Sequence, residues 1–304
     1  MVAVTRLKPG FAARIEGVDA ARASAADVAA IKAALVEHPV VVHPRQQLSE
    51  DAQVEFGSQF GPLDTYDYAS NDYNPGVRPD LLVVSNTHDA DKPLDVMDRR
   101  RMLDLGNKLW HSDSSFRAVP AHLSMLYGVE VASQGGETQF ADLRAGYDAL
   151  GEDMKRLVEG LVAEHSIMHS RRMLGFDDWN AEFQAKYGGW AAHDVVRVLP
   201  DSGRKTLYLS AHASHIVGLP IPLGRMLLHE LTELSTTPDK VYTHRWERND
   251  LVIWDNRCTL HRLRRYRASA EPRKLRRVTT VATEFPARDP DTVRVADWVL
   301  EEVA

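Results

Sequence analysis

Of the thirteen histidines in this chain, a single one is followed two positions later by a carboxylate: His111-Ser112-Asp113. On an extended segment, residues i and i+2 project to the same side, so this imidazole and this carboxylate can converge on one point. A mononuclear iron(II) oxygenase needs two histidines and one carboxylate on one octahedral face, with three positions left for co-substrate and O2. Such a tripeptide also occurs as ordinary structure, and a third ligand has to come from a distant part of the chain. His261 is a candidate, because it follows the apolar run Leu251-Val252-Ile253-Trp254 and the turn Asp255-Asn256-Arg257. A histidine at a strand end also serves to bond nearby backbone, and the residue types alone leave both roles open.

The elements around these residues are short. The chain has 304 residues, 44% hydrophobic and 26% charged, an ordinary globular composition. Ser24 and Asp27 suit a helix N-terminus, and Val28, Ile31 and Leu35 fall on one face, which predicts a helix over 24–38. Pro39 stops it, and Val40-Val41-Val42 reads as a buried strand. A second helix is expected from Ser49 to Phe60, ending at Gly61-Pro62. Residues 63–106 are polar with weak periodicity, and about 64–106 reads as an active-site lid, since a loop of that length in a compact domain usually serves binding. Strands are expected at Leu123–Val131, Thr138–Phe140, Val195–Leu199, Thr206–Leu209, Leu251–Trp254 and Val278–Thr283. Helices are expected at about 143–165 and 223–234. Strands and helices do not alternate regularly, which argues against a doubly wound sheet and for a mainly β sandwich or barrel with helical insertions. One domain over 1–304 is expected, with about 284–304 as an acidic C-terminal extension.

Composition excludes several classes. A net charge of −6 and a pI near 6.1 argue against a nucleic-acid surface. The arginine-rich stretch from Arg262 to Arg277 therefore needs a local reason. The single cysteine, Cys258, excludes an intrachain disulfide and a cysteine-based zinc site, and reads as a small buried hydrophobe. No apolar run approaches the roughly 18 residues of a membrane span, and the N-terminus lacks a signal-peptide core, so cytoplasm is the expected compartment and no membrane partner is expected. A homo-oligomer is compatible with this composition.

Four separated words occur in order: Trp110-His111-Ser112-Asp113-Ser114-Ser115-Phe116, Gly135-Gly136-Glu137-Thr138, Trp254-Asp255-Asn256-Arg257-Cys258 through His261-Arg262, and Arg273-Lys274-Leu275-Arg276-Arg277. Together they resemble the taurine dioxygenase/2,4-dichlorophenoxyacetate dioxygenase family, from about residue 8 to residue 283. The likeness is greatest to the chlorophenoxyacetate branch, where Ser210-Ala211-His212-Ala213-Ser214-His215 is also similar. The resemblance implies a double-stranded β-helix, or jelly roll, and an oxygenase that uses Fe(II), 2-oxoglutarate and O2. It implies His111, Asp113 and His261 as iron ligands, Thr138 and Arg273 as contacts to 2-oxoglutarate, and Arg277 as the anchor of an anionic substrate, with Asn107 also in the pocket. It implies ether cleavage of an aryloxyalkanoate, or hydroxylation of an alkylsulfonate, sulfate ester or other carboxylate. The rival from another class is a non-catalytic jelly roll whose histidines are structural or hold zinc.

The arginine assignments make chemical sense of the basic stretch. 2-Oxoglutarate is a dianion, and the planar fork of arginine matches its far carboxylate bidentately. On a strand, a spacing of four puts Arg273 and Arg277 on one face. Two departures bear on substrate. No lysine follows Phe60-Gly61-Pro62-Leu63 until Lys92, and no histidine stands just before Ser202-Gly203-Arg204-Lys205, where the chlorophenoxyacetate enzymes have both. One residue is also inserted between His261 and Arg273, which leaves Arg276 as an alternative to Arg277.

Overall fold

The computed structural model describes residues 2–65, 78–88, 92–179 and 181–303. A seven-stranded sheet runs, in spatial order, Ala3–Lys8, Ala12–Glu16, Val40–His43, Leu251–Asp255, Ala121–Glu130, Lys274–Val281 and Leu82–Ser85. Its pairs are antiparallel except that between Ala12–Glu16 and Val40–His43. A smaller sheet places Thr138–Asp142 between Val241–His244 and Thr259–Leu263. A further ladder places Val162–His165 between Ala191–Asp194 and Ala213–Ile216.

Alternation along these strands decides what faces what. From the large sheet, Val41, Met125 and Ile253 pack outward under Val28, Ile31 and Leu35 of the helix Ala25–Glu37. The intervening Val42, Leu126, Val252 and Trp254 point inward, where with Leu275 they meet Phe140 of the smaller sheet. On the far side of that sheet, Ala141 and Leu260 pack against Leu227, Leu228 and Leu231 of the helix Ile221–Ser235. The result is a mainly β jelly roll flanked by helices, and the space between its sheets is where period-two side chains converge. The helix Ala25–Glu37 carries the expected capping box: the Ser24 amide donates to Asp27 Oδ2 (2.9 Å) and the Asp27 amide to Ser24 Oγ (3.2 Å). A cap of this kind contributes about 1 kcal/mol.

Two expectations are corrected. The single helix over about 143–165 is instead Leu143–Asp148 and Glu152–Val158, followed by the strand Val162–His165. The chain turns at Gly160, which takes φ +78°, and pairing on both edges then overrides helical propensity. Residues 63–106 are less irregular than their composition suggests, since Leu82–Ser85 forms the last strand of the large sheet and Arg99–Leu103 a helix. Residues 66–77 and 89–91, central to the lid reading, lie outside the described residues. The C-terminal stretch includes the helix Asp297–Val303, whose Val299 packs into the core beside the helix Ile221–Ser235. Among the described residues, no helix is long and apolar enough to cross a membrane.

Candidate metal centre

The segment carrying His111 and Asp113 lies against the strand Thr259–Leu263. The His111 amide donates to the His261 carbonyl (3.0 Å), and the His261 amide to the His111 carbonyl (2.9 Å). Two backbone hydrogen bonds thus bring together two histidines 150 positions apart. Among the described residues, His111, Asp113 and His261 form the one group of three potential metal ligands, with donor atoms all within 4.8 Å of one another. Asp113 Oδ1 lies 3.7 Å from His261 Nε2 and 3.9 Å from His111 Nε2. His111 Nδ1 is 2.8 Å from the Leu109 carbonyl. That carbonyl can only accept, so Nδ1 carries the proton and Nε2 offers its lone pair to a metal.

Asp113 is held by a network that the sequence did not assign. Ser124 Oγ, from the inner face of the large sheet, donates to Asp113 Oδ2 (2.7 Å). Asn256 Nδ2 donates to Ser124 Oγ (2.9 Å), and Asn256 Oδ1 accepts from the Asp113 amide (3.1 Å) and from Trp254 Nε1 (3.0 Å). Ser112 Oγ closes the circuit on the Asn256 carbonyl (2.8 Å). Ser114, at φ +51°, turns the chain away directly after the carboxylate. With Oδ2 occupied by Ser124, Oδ1 is the oxygen turned towards both imidazoles. The Asn256→Ala variant is expected to bind Mn(II) about 10–100-fold more weakly, as loss of an outer partner of a ligand generally does. Calorimetric titration with an unchanged affinity would remove Asn256 from this role.

Electrostatics favour the ligating protonation states. Burial would push the Asp113 carboxyl up, but the Arg277 guanidinium holds it well below the usual carboxylate range. Burial pushes His111 down against the opposing pull of Asp113, and pushes His261 further down. Neutral imidazoles beside an ionised carboxylate are what a divalent cation requires.

The triad opens into a cavity of about 260 Å³ that all seven residues singled out from the sequence line: His111, Asp113, His261, Asn107, Thr138, Arg273 and Arg277. Arg273 is buried, with Nη2 donating to the Gly136 carbonyl (3.1 Å) and its amide to Asn86 Oδ1 (2.7 Å). Gly136 takes φ +70°, and a β-carbon there would stand 3.2 Å from Arg273 Nε, so this glycine leaves room for the guanidinium. Thr138 Oγ1 accepts from Trp246 Nε1 (3.0 Å), a partner without a sequence signal. Arg277 Nη1 bonds Asp113 Oδ1.

The strand register separates Arg277 from Arg276. Pairing with Ala121–Glu130 passes from Lys274↔Glu130 to Leu275↔Gly128, so the skipped residue, Val129, belongs to the neighbouring strand. Arg273, Leu275 and Arg277 keep their alternation and all line the cavity. Arg276 lies on the opposite face, where Nη2 donates to the Leu48 carbonyl (2.5 Å) and the guanidinium stands 5.0 Å from the Tyr127 ring centroid.

Other residues sort by the same geometry. His212 lines the cavity with Nδ1 2.9 Å from Ser170 Oγ, whereas His215 lies outside it beside Ser214 and Glu164. Trp254 packs on His261 with ring centroids 4.7 Å apart, and Cys258 is buried. Arg117, Asp104 and Arg171 also line the cavity without having been singled out. Arg117 pairs with Asp64, which accepts from Ser114 Oγ (3.1 Å).

Comparison with known proteins agrees with this geometry. The family profile described as taurine catabolism dioxygenase TauD, TfdA family matches residues 3–279. The chain is 43% identical over 283 residues to the alpha-ketoglutarate-dependent 2,4-dichlorophenoxyacetate dioxygenase of Cupriavidus pinatubonensis, covering 92% of this chain and 98% of that protein. It is 36% identical to the (S)-phenoxypropionate/alpha-ketoglutarate-dioxygenase of Sphingobium herbicidovorans, covering 85% and 88%. The crystal structure of AAD-2 in complex with Mn(II) and N-oxalylglycine superposes with a TM-score of 0.85 at 38% identity, covering 95% of this chain and 100% of that one. With its two-sheet fold, its His–Asp–His cluster and a match over nearly its whole length, the chain belongs to the TauD, TfdA family of dioxygenases.

Proposed function

We propose that this protein is an Fe(II)- and 2-oxoglutarate-dependent dioxygenase that hydroxylates a small anionic organic substrate, an aryloxyalkanoate, with cleavage of its ether. The observation that carries the reading is a His111–Asp113–His261 cluster facing a cavity that also holds the guanidiniums of Arg273 and Arg277. Two imidazoles and one carboxylate oxygen, with no further His, Cys, Asp or Glu in the cluster among the described residues, fit a facial iron site better than a closed structural zinc site. When bound, iron and 2-oxoglutarate supply O2-driven oxidative decarboxylation to succinate and CO2, coupled to hydroxylation of a substrate C–H bond.

The chain's own residues bind and orient. Arg273 takes the distal carboxylate of 2-oxoglutarate in a buried setting where only a charged partner offsets desolvation. Thr138 offers a hydroxyl beside it, oriented by Trp246. Arg277 holds the substrate's carboxylate beside the metal ligands, and Asn107 offers an amide on the same wall. Hydroxylation at a carbon bearing an ether oxygen yields a hemiacetal, which collapses to a phenol and a carbonyl acid. The relatives named for 2,4-dichlorophenoxyacetate and (S)-phenoxypropionate support this substrate class.

The test has two parts. Fe(II) and 2-oxoglutarate added anaerobically are expected to give a weak visible charge-transfer band. In air, phenoxyacetates should release phenol and succinate in equal amounts. Absence of the band refutes the cofactor assignment, and succinate release driven by alkylsulfonates or sulfate esters but by no aryloxy acid refutes the substrate.

A further inference from the structure

Asp64 is a buried carboxylate that lies outside the cavity lining. Its Oδ2 accepts from Ser114 Oγ (3.1 Å) and its Oδ1 from the Arg117 guanidinium. Those two residues begin and end the turn by which the chain leaves Asp113, where the Arg117 amide donates to the Ser114 carbonyl (3.0 Å). A carboxylate has acceptor sites for both side-chain donors at once. The turn needs such a hold. Ser114 takes φ +51°, a left-handed conformation that crowds a β-carbon and that a serine keeps only where its surroundings fix it. Ser114 is joined directly to Asp113, so relaxation of its φ would re-aim that carboxylate.

The backbone of Asp64 is fixed from the other side. Its amide donates to the Thr279 carbonyl (2.8 Å), Leu63 bridges to Thr280, and the Val281 amide donates to the Pro62 carbonyl (3.0 Å). Thr279 is the cross-strand partner of Ser124, whose hydroxyl donates to Asp113 Oδ2 (2.7 Å). A closed ring results. It runs from Asp64 through Ser114 to Asp113, and back through Ser124 and Thr279 to Asp64. Arg277, which bonds Asp113 Oδ1, stands two positions before Thr279 on the same strand.

We propose that Asp64 is a positioning residue for the metal ligand Asp113, acting through the Ser114 turn. It holds the strained serine, and so keeps Asp113 Oδ1 beside Nε2 of His111 and of His261. This rests on the reading of His111, Asp113 and His261 as the metal centre. The acting contact is the bond to Ser114 and not the ion pair with Arg117, because only Ser114 carries the strain. A glycine at 114 adopts the same φ without a β-carbon to crowd, and makes the hold unnecessary.

The experiment is calorimetric titration of Mn(II) into the full chain, with thermal midpoints measured beside it. Asp64→Ala is expected to weaken Mn(II) binding about tenfold, as loss of an outer partner of a ligand does. In a Ser114→Gly background the same change should cost no more than about twofold, because both substitutions act on one interaction and their effects do not add. Asp64→Asn, which keeps the volume and one acceptor oxygen, replaces alanine if that variant does not fold. Its loss should be smaller, and should also vanish beside Ser114→Gly. A carboxylate that only stabilised the fold would lower the midpoint equally in both backgrounds and leave Mn(II) affinity unchanged. Unchanged Mn(II) affinity on loss of the Asp64 carboxylate overturns the proposal. So does an equal loss of affinity in both backgrounds, which would assign the effect to Arg117. Failure of the unsubstituted protein to bind Mn(II) overturns the metal centre and the proposal together, whereas normal binding that ignores Asp64 overturns the proposal alone.

Discussion

Alanine at His111, Asp113 or His261 is expected to abolish turnover, by well over the roughly 10–100-fold that loss of an outer partner costs. Each supplies one of three donor atoms gathered within 4.8 Å, and no fourth protein donor joins the cluster among the described residues. The three variants should differ in stability. Asp113 accepts from Ser124 and pairs with Arg277, so Asp113→Ala takes a buried carboxylate away from that hydroxyl and from the half-buried guanidinium, a defect worth about 1–3 kcal/mol. The histidine variants strand no charge and should unfold at higher temperature than Asp113→Ala. Succinate release and Mn(II) affinity of each purified variant, beside its thermal midpoint, check both statements. Substantial turnover in two of the three would sink the ligand assignment.

The arginine pair should fail in two different ways. Arg273→Ala is expected to raise the 2-oxoglutarate requirement by about thirtyfold or more, because loss of one partner of a buried charge pair costs roughly 2–5 kcal/mol. Burial depresses the Arg273 guanidinium's own proton affinity, with Tyr266 and Asp104 opposing, and this marks a desolvated charge for which a dianionic ligand is a strong counterpart. Arg277→Ala should leave the visible band of the 2-oxoglutarate complex nearly unchanged and weaken the primary substrate, with part of the 2-oxoglutarate consumption uncoupled from product. Arg276→Ala should do neither, since its guanidinium lies on the outer face against Leu48 and Tyr127. Titration of both ligands against each variant decides the matter. Normal 2-oxoglutarate binding by Arg273→Ala, or the Arg277 phenotype in Arg276→Ala, would overturn the residue-by-residue assignment.

The sequence alone determined what depends on local spacing. The capping box at Ser24 and Asp27, the buried Val40-Val41-Val42 strand, the strand Leu251–Asp255 and the single His-x-Asp tripeptide were all legible from neighbours within a few positions. Order and identity of the four words indicated the family, and strand parity indicated that Arg273 and Arg277 share a face. Tertiary structure decided what depends on pairing between distant segments. The bridge between His111 and His261 is made by backbone groups, which leave no mark on residue type. Gly160 and two flanking strands turned an expected helix into Val162–His165, because ladder partners outweigh local propensity. The choice between Arg276 and Arg277 required the register on Ala121–Glu130, where the skipped residue sits on the partner strand. Ser124 reaches the site from a strand of the large sheet and Trp246 from the loop after Val241–His244, and each is an ordinary residue in its own sequence context. Only the packing of those elements around one cavity gives them a part in its chemistry.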